Sequence, residues 1–177
     1  ARELIVPGPP LWLTEKVGVS DTPPPPWTPI ETEATRLRVW GREYDLGVFG
    51  LPEEIVTQKN SILAGPGTFR CLRDGKEISW RHVAPELKKK SGAEVVREGA
   101  SYSDLGKMTW RVQAEFDGFL LYDFELRPAP GANCDLMEIR VPIRKEFANL
   151  HYKGASDRGF ISDEPGVFWK ANFGRYW

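Results

Sequence analysis

Catalysis needs ionisable or nucleophilic side chains gathered in one place, and this chain offers few. Its histidines are His82 and His151 and its cysteines Cys71 and Cys134. The histidines stand far apart with no ligand spacing around them, and two cysteines alone do not complete a zinc site. The cysteines read as two ordinary thiols, with a disulfide as the alternative, and no metal or cofactor is expected. Asp163-Glu164 is an adjacent carboxylate pair, and paired carboxylates can act as acid and base or nucleophile on a glycosidic bond. Pro165-Gly166 follows at once, however, so the pair reads as an exposed turn. Asp117 opens another turn, and Asp123 is expected to face Arg111. Gly65-Pro66-Gly67 has proline at its centre and no helix behind it, so it is a turn and not an anion cradle. Phosphate-loop, nucleophile-elbow, His-Glu-x-x-His and Ser/His/Asp patterns do not occur. No catalytic residue is assigned.

Aromatic side chains are the richer resource. The seven tryptophans are Trp12, Trp27, Trp40, Trp80, Trp110, Trp169 and Trp177. An indole offers flat apolar area with a polar edge, which suits stacking on a sugar face or packing against a neighbouring domain. Trp80 and Trp110 fall on apolar strand faces and are expected in the core. Trp27, Trp40, Trp169 and Trp177 are the candidate binding residues, with domain contact favoured over a glycan. Twenty-four basic against twenty-five acidic residues leave a formal charge of -1. That balance lacks the basic excess of a nucleic-acid binder, and no apolar run approaches the ~20 residues of a membrane-spanning helix. Neither nucleic acid nor membrane is an expected partner.

The elements that position these residues are short. Fifteen prolines and seventeen glycines punctuate 177 residues, and the runs between them are rich in Val, Ile, Phe, Tyr and Trp, which reads as strands joined by turns. Residues 1–34 form a Pro-rich strap or linker, extended through Pro7, Pro9, Pro10 and Pro23 to Pro26; residues 35–177 form the folded domain. A type I′ turn at Asp74-Gly75 sets Cys71 opposite Ile78 and Phe69 opposite Trp80. Met108, Trp110, Val112, Ala114 and Phe116 alternate with polar residues, as do Leu120, Tyr122, Phe124 and Leu126 after Asp117-Gly118. A strict two-residue loop would set Val112 against Asp123. One extra residue, in a bulged turn with Gly118 at positive φ, aligns Val112 with Tyr122, Trp110 with Phe124 and Arg111 with Asp123. Leu136 to Ile143 is a further strand, ended or confined to an edge by Pro142. Pro85 to Ser91 reads as a solvated loop or one helical turn because of its Lys88-Lys89-Lys90 run. The pattern specifies an all-β, antiparallel β-sandwich with an extended Pro-rich N-terminal segment. The chain is too short for a (β/α)₈ barrel of ~250 residues.

Six motifs occur in succession: Pro24-Pro25-Pro26-Trp27-Thr28-Pro29, Val39-Trp40-Gly41-Arg42-Glu43-Tyr44, Gly50-Leu51-Pro52, Ile62-Leu63-Ala64-Gly65-Pro66, Glu115-Phe116-Asp117-Gly118 and Glu138-Ile139-Arg140-Val141-Pro142-Ile143. Together they cover the chain from Pro23 to its end, and their order resembles the N-terminal β-sandwich region of glycoside hydrolase family 123-like proteins. Residues 153–166 are shorter than that pattern. The resemblance implies a non-catalytic accessory module that precedes a catalytic barrel, and that barrel is the partner expected here. It also implies that the acid pair for substrate-assisted hydrolysis of N-acetylhexosaminides lies on the barrel and not at Asp163-Glu164. A secreted or periplasmic location follows from the same resemblance. The chain begins Ala-Arg-Glu without Met, and Phe173 to Trp177 resembles the start of a longer motif, so a fragment of a larger protein is expected. A free-standing carbohydrate-binding module and a protein-binding structural sandwich are the alternative functions.

Overall fold

A computed structural model describes residues 8, 10, 20–153 and 157–160, with backbone alone for 150–153 and 157–160. Its first five strands, β1 (Glu31–Glu33), β2 (Arg36–Val39), β3 (Arg42–Leu46), β4 (Pro52–Thr57) and β5 (Asn60–Ser61), form an antiparallel meander. The short β6 (Thr68–Arg73) and β7 (Lys76–Glu77) follow, then β8 (Arg81–His82) and β9 (Glu86–Lys90). Two long strands, β10 (Glu94–Ser103) and β11 (Gly106–Glu115), lead into β12 (Leu120–Pro128) and β13 (Leu136–Arg140). A last hairpin joins β14 (Leu150–Lys153) to β15 (Asp157–Phe160).

Two layers result. In one, β12, β11 and β10 lie side by side, with β8 and β9 both pairing β10. In the other, β13 pairs β6, which pairs β7. The chain from β5 to β6 runs on as one irregular strand: Ile62 N donates to Ile55 O, and Leu63 bridges Ile143. The five-stranded meander and the β13–β6–β7 sheet therefore share one layer, with β1 and β13 on its outer edges. This is the antiparallel β-sandwich that the alternation specifies.

Both predicted hairpin registers are present. Asp74 (φ +51°) and Gly75 (φ +70°) make the two-residue turn; Ile78 N donates to Cys71 O at 2.9 Å, and Phe69 meets Trp80 edge-on at 5.9 Å. At the second turn Gly118 has φ +88° and Glu115 N donates to Phe119 O at 2.9 Å. Trp110 pairs Phe124, Arg111 pairs Asp123 and Val112 pairs Tyr122. The extra residue wins because it keeps Tyr122, Phe124 and Leu126 facing the core; a one-residue slip would turn all of them outward.

Pro85 to Ser91 is neither a loop nor a helical turn. Residues 86–90 form β9, exposed along its length and paired with Val95 to Glu98 of β10 across a bulge. Backbone hydrogen bonds to β10, with the Lys89–Glu94 pair beside them, hold it without burying an apolar face, so no apolar alternation marks it in the sequence. Its lysines suit an outer edge, where charge discourages pairing with another chain; Lys88 and Lys89 pair with Glu86 and Glu94. The Pro-rich segment also carries one sharp turn, in which Trp27 N donates to Pro24 O at 3.1 Å across the cis Pro25–Pro26 bond.

The core lies between the layers. Leu37, Tyr44, Leu46, Phe49 and Phe69 come from one layer, and Val95, Met108, Trp110, Val112 and Ala114 from the other. Trp110 is buried as expected, and Trp80 is half-buried against the same cluster. Arg97 is also buried, opposite Val112. Its Nη2 donates to Thr32 Oγ1 at 2.7 Å, linking β10 to β1, and among the described residues its Nε finds no partner. Burial without a carboxylate partner among the described residues lowers its pKa, the direction desolvation of a cation dictates.

Trp110 has room only because two neighbours lack side chains. A Cβ on Gly99 would overlap the indole, and one on Gly50 would come within 2.7 Å of its Cζ3. We expect Gly99→Ala to lower the unfolding free energy by about 1–3 kcal/mol, the usual cost of overpacking a tight core; urea denaturation measures it, and an unchanged midpoint would refute the packing described. Cys71 and Cys134 are both free thiols, Cys71 fully enclosed and Cys134 partly so. Burial, helped by the neighbouring Cys134, raises the Cys71 pKa to about 11. Only the thiolate reacts readily. Iodoacetamide at pH 8 should therefore modify Cys134 first in the native protein and both cysteines in urea, as mass spectrometry of the peptides would reveal.

Candidate functional site

One end of the sandwich gathers exposed aromatic rings. The β2–β3 hairpin reverses through Trp40-Gly41, with Gly41 at φ +73°. Because Val39 is on the buried face, its neighbour Trp40 points outward, and it is 59% exposed. The β4–β5 hairpin turns through Gln58 and Lys59 beside it, and Gln58 N donates to Gly41 O at 3.2 Å. The two tips are thereby locked together.

The β11–β12 turn closes the same end. Tyr44 Oη donates to Gly118 O at 2.6 Å, and Arg42 Nη1 donates to Tyr44 Oη at 3.0 Å. Phe119, next to Gly118, is exposed. Trp27 lies edge-on against Phe116 at 5.5 Å and remains 37% exposed. Three segments distant in sequence thus present Trp27, Trp40 and Phe119 at one end, each fixed by a tight turn or by a ring contact beneath it.

A groove of about 480 Å³ runs beside Trp40, with Thr28 and Pro29 on one side, Gln58 and Lys59 on another, and Arg38 and Glu43 between. Three of its charges pair: Arg38 lies 3.9 Å from Glu31 and 3.4 Å from Glu43. Such exposed pairs contribute little to stability, but they leave alternating donors and acceptors around a flat ring. The groove lining contains no histidine, cysteine or serine. With Glu31 and Glu43 both beside Arg38, the arrangement offers a flat ring and hydrogen-bonding groups on which a partner can stack.

Of the sequence candidates, Trp27 and Trp40 lie at the same end of the fold. Trp169, Trp177 and the Asp163-Glu164 pair lie outside the described residues. Asp123 does face Arg111, at 3.6 Å, and Asp117 Oδ1 accepts from Phe119 N within the turn. Phe119, Gln58 and Lys59 were not singled out by their sequence. Only the turn residues around them mark a tip, and which tips converge depends on the stacking of the layers.

The family model described as glycoside hydrolase 123, third domain, matches residues 30–175. Comparison with curated proteins finds no match.

The Trp40 ring is supported by its turn and lends that turn little in return. Trp40→Ala is expected to change the unfolding free energy by no more than about 0.5 kcal/mol, the range of surface substitutions. A larger loss in thermal or urea unfolding would mean that the ring serves the fold.

Proposed function

Because the chain belongs to the glycoside hydrolase 123 family, we propose that it serves as a non-catalytic accessory β-sandwich, packing against a catalytic domain of its parent protein through the end that carries Trp27, Trp40 and Phe119. A domain numbered third in its family stands beside others, and contacts within one chain typically bury 600–1,500 Å² and are more polar than obligate interfaces. The observation that carries the reading is the free Trp40 ring on a rigid turn, surrounded by Arg38, Glu43 and Lys59. Aromatic anchors ringed by polar groups supply much of the energy where protein surfaces meet. The mechanism is burial of this aromatic end, and the sandwich contributes orientation and rigidity instead of bond cleavage.

The same groove supports a second reading, a carbohydrate-binding module. A flat indole flanked by fixed donors and acceptors is also what a pyranose face requires. The two readings separate in one set of titrations. For the accessory role, the remainder of the parent protein should bind the chain, and Trp40→Ala should weaken that binding by at least about tenfold, the effect of losing a central anchor. Equal binding by the variant would defeat it. Saturable quenching of tryptophan fluorescence by soluble oligosaccharides, abolished in Trp40→Ala, would establish the second reading instead. In either case the chain alone should hydrolyse no aryl glycoside; turnover lost in Asp163→Ala or Glu164→Ala would overturn the non-catalytic role.

A further inference from the structure

Another cavity opens at the far end of the β2–β3 hairpin, away from Trp40. Its volume is about 380 Å³, and it lies between residues 45–49 of one layer and residues 82–85 of the other. Small-ligand sites have this size and this make-up, mainly apolar with a few fixed polar groups. The buried Phe49 and Trp110 form its base, and the exposed Val48 and Val83 stand at its mouth. Phe49 takes φ +60° there, and backbone strain of this kind gathers at binding and catalytic sites.

The lining carries two carboxylates, Asp45 and Glu53, and no lysine or arginine. Thr35 Oγ1 donates to Asp45 Oδ1 at 2.6 Å, and Arg36 approaches the same carboxylate only to 4.0 Å. Glu53 lies so close to the Gly47 backbone that a Cβ on Gly47 would overlap its carboxyl group. His82 lines the cavity with its Nδ1 2.8 Å from the buried Ser101 Oγ. Desolvation lowers the His82 pKa, so the ring is mainly neutral at pH 7 and repels no cation.

We propose that this cavity binds an organic cation, an alkylammonium or alkylguanidinium, with its charge between Asp45 and Glu53 and its carbon stem on Val48, Val83 and the rings beneath. Charge-assisted hydrogen bonds to the carboxylates replace the hydration of the cation, and the stem leaves water for an apolar surface. An anion would meet two like charges. Glycine at position 47 lets Glu53 stand at the mouth, because any side chain there takes the place of its carboxylate. The inference goes beyond the accessory role, which uses the Trp40 end of the molecule.

Titration of the full 177-residue chain with n-butylammonium and n-butylguanidinium at pH 7, followed by amide NMR, tests it. Saturable shifts are expected at Gly47, Val48 and Val83, with none from butanol or butyrate. Glu53→Gln and Gly47→Ala should each weaken binding by at least about tenfold, the effect of losing a hydrogen bond to a charged group, whereas Trp40→Ala should leave it unchanged. A blocked Gly-Arg-Gly peptide that binds more tightly than butylguanidinium would make the ligand a side chain of a protein partner, and the reverse order a free amine; either order supports the site. No saturable shift, equal binding of butanol, or undiminished binding by Glu53→Gln would overturn it. Contacts in the free protein between the cavity and the chain's own Arg2 or Lys16 would overturn it as well, since the chain would then fill its own site.

Discussion

The contact on which the architecture depends is the one between Trp110 and two glycine backbones. Gly99 lies across the β10–β11 ladder from it, and Gly50 approaches from the opposite layer. A flat ring between backbones sets the distance at which the layers meet, because neither surface can retreat or advance without opening a void or a clash. Around this point the chain accepts unusual geometry. Phe49 takes φ +60° beside Gly50 at +68°, a region that bulky residues rarely enter. In return its ring fills the space among Phe69, Trp80 and His82.

From that spacing follow the features that give the surface its character. The β11–β12 turn is held by the Tyr44 hydroxyl reaching Gly118 from the other layer, so the end of one sheet is registered against the end of the other. Trp40 and Phe119 are displayed on this braced end and not on mobile loops. An exposed ring on a stiff support loses little entropy on binding, which is why this end is the natural place for a partner. The edges differ in character. β9 is guarded by lysines and glutamates, as an edge that must stay unpaired should be; β13 and the residues after it expose methionine, isoleucine and valine.

Much of the sandwich was legible in the sequence because the relevant forces act locally. Side-chain alternation and turn chemistry agree at Asp74-Gly75 and at Asp117-Gly118, and each hairpin register is a contest between adjacent residues. The motifs around Trp40-Gly41 and Asp117-Gly118 carried the family resemblance for the same reason: they are turns, and turns restrict residue type. β9 was not legible. Its residues bury no apolar face, and its pairing rests mainly on backbone bonds to Val95 to Glu98, which any sequence can make.

What the amino-acid order determined by itself was therefore the set of strands with a buried face, their hairpin pairing, and the scarcity of groups able to do chemistry. Only the tertiary structure decided which turn tips converge, so that Trp27, Trp40 and Phe119 share one end. The physical reason is one of range. Alternation records whether a side chain prefers water, whereas the identity of the surface across the interlayer space depends on stacking between segments far apart in the chain, as when Tyr44 meets Gly118 and Phe69 meets Phe124.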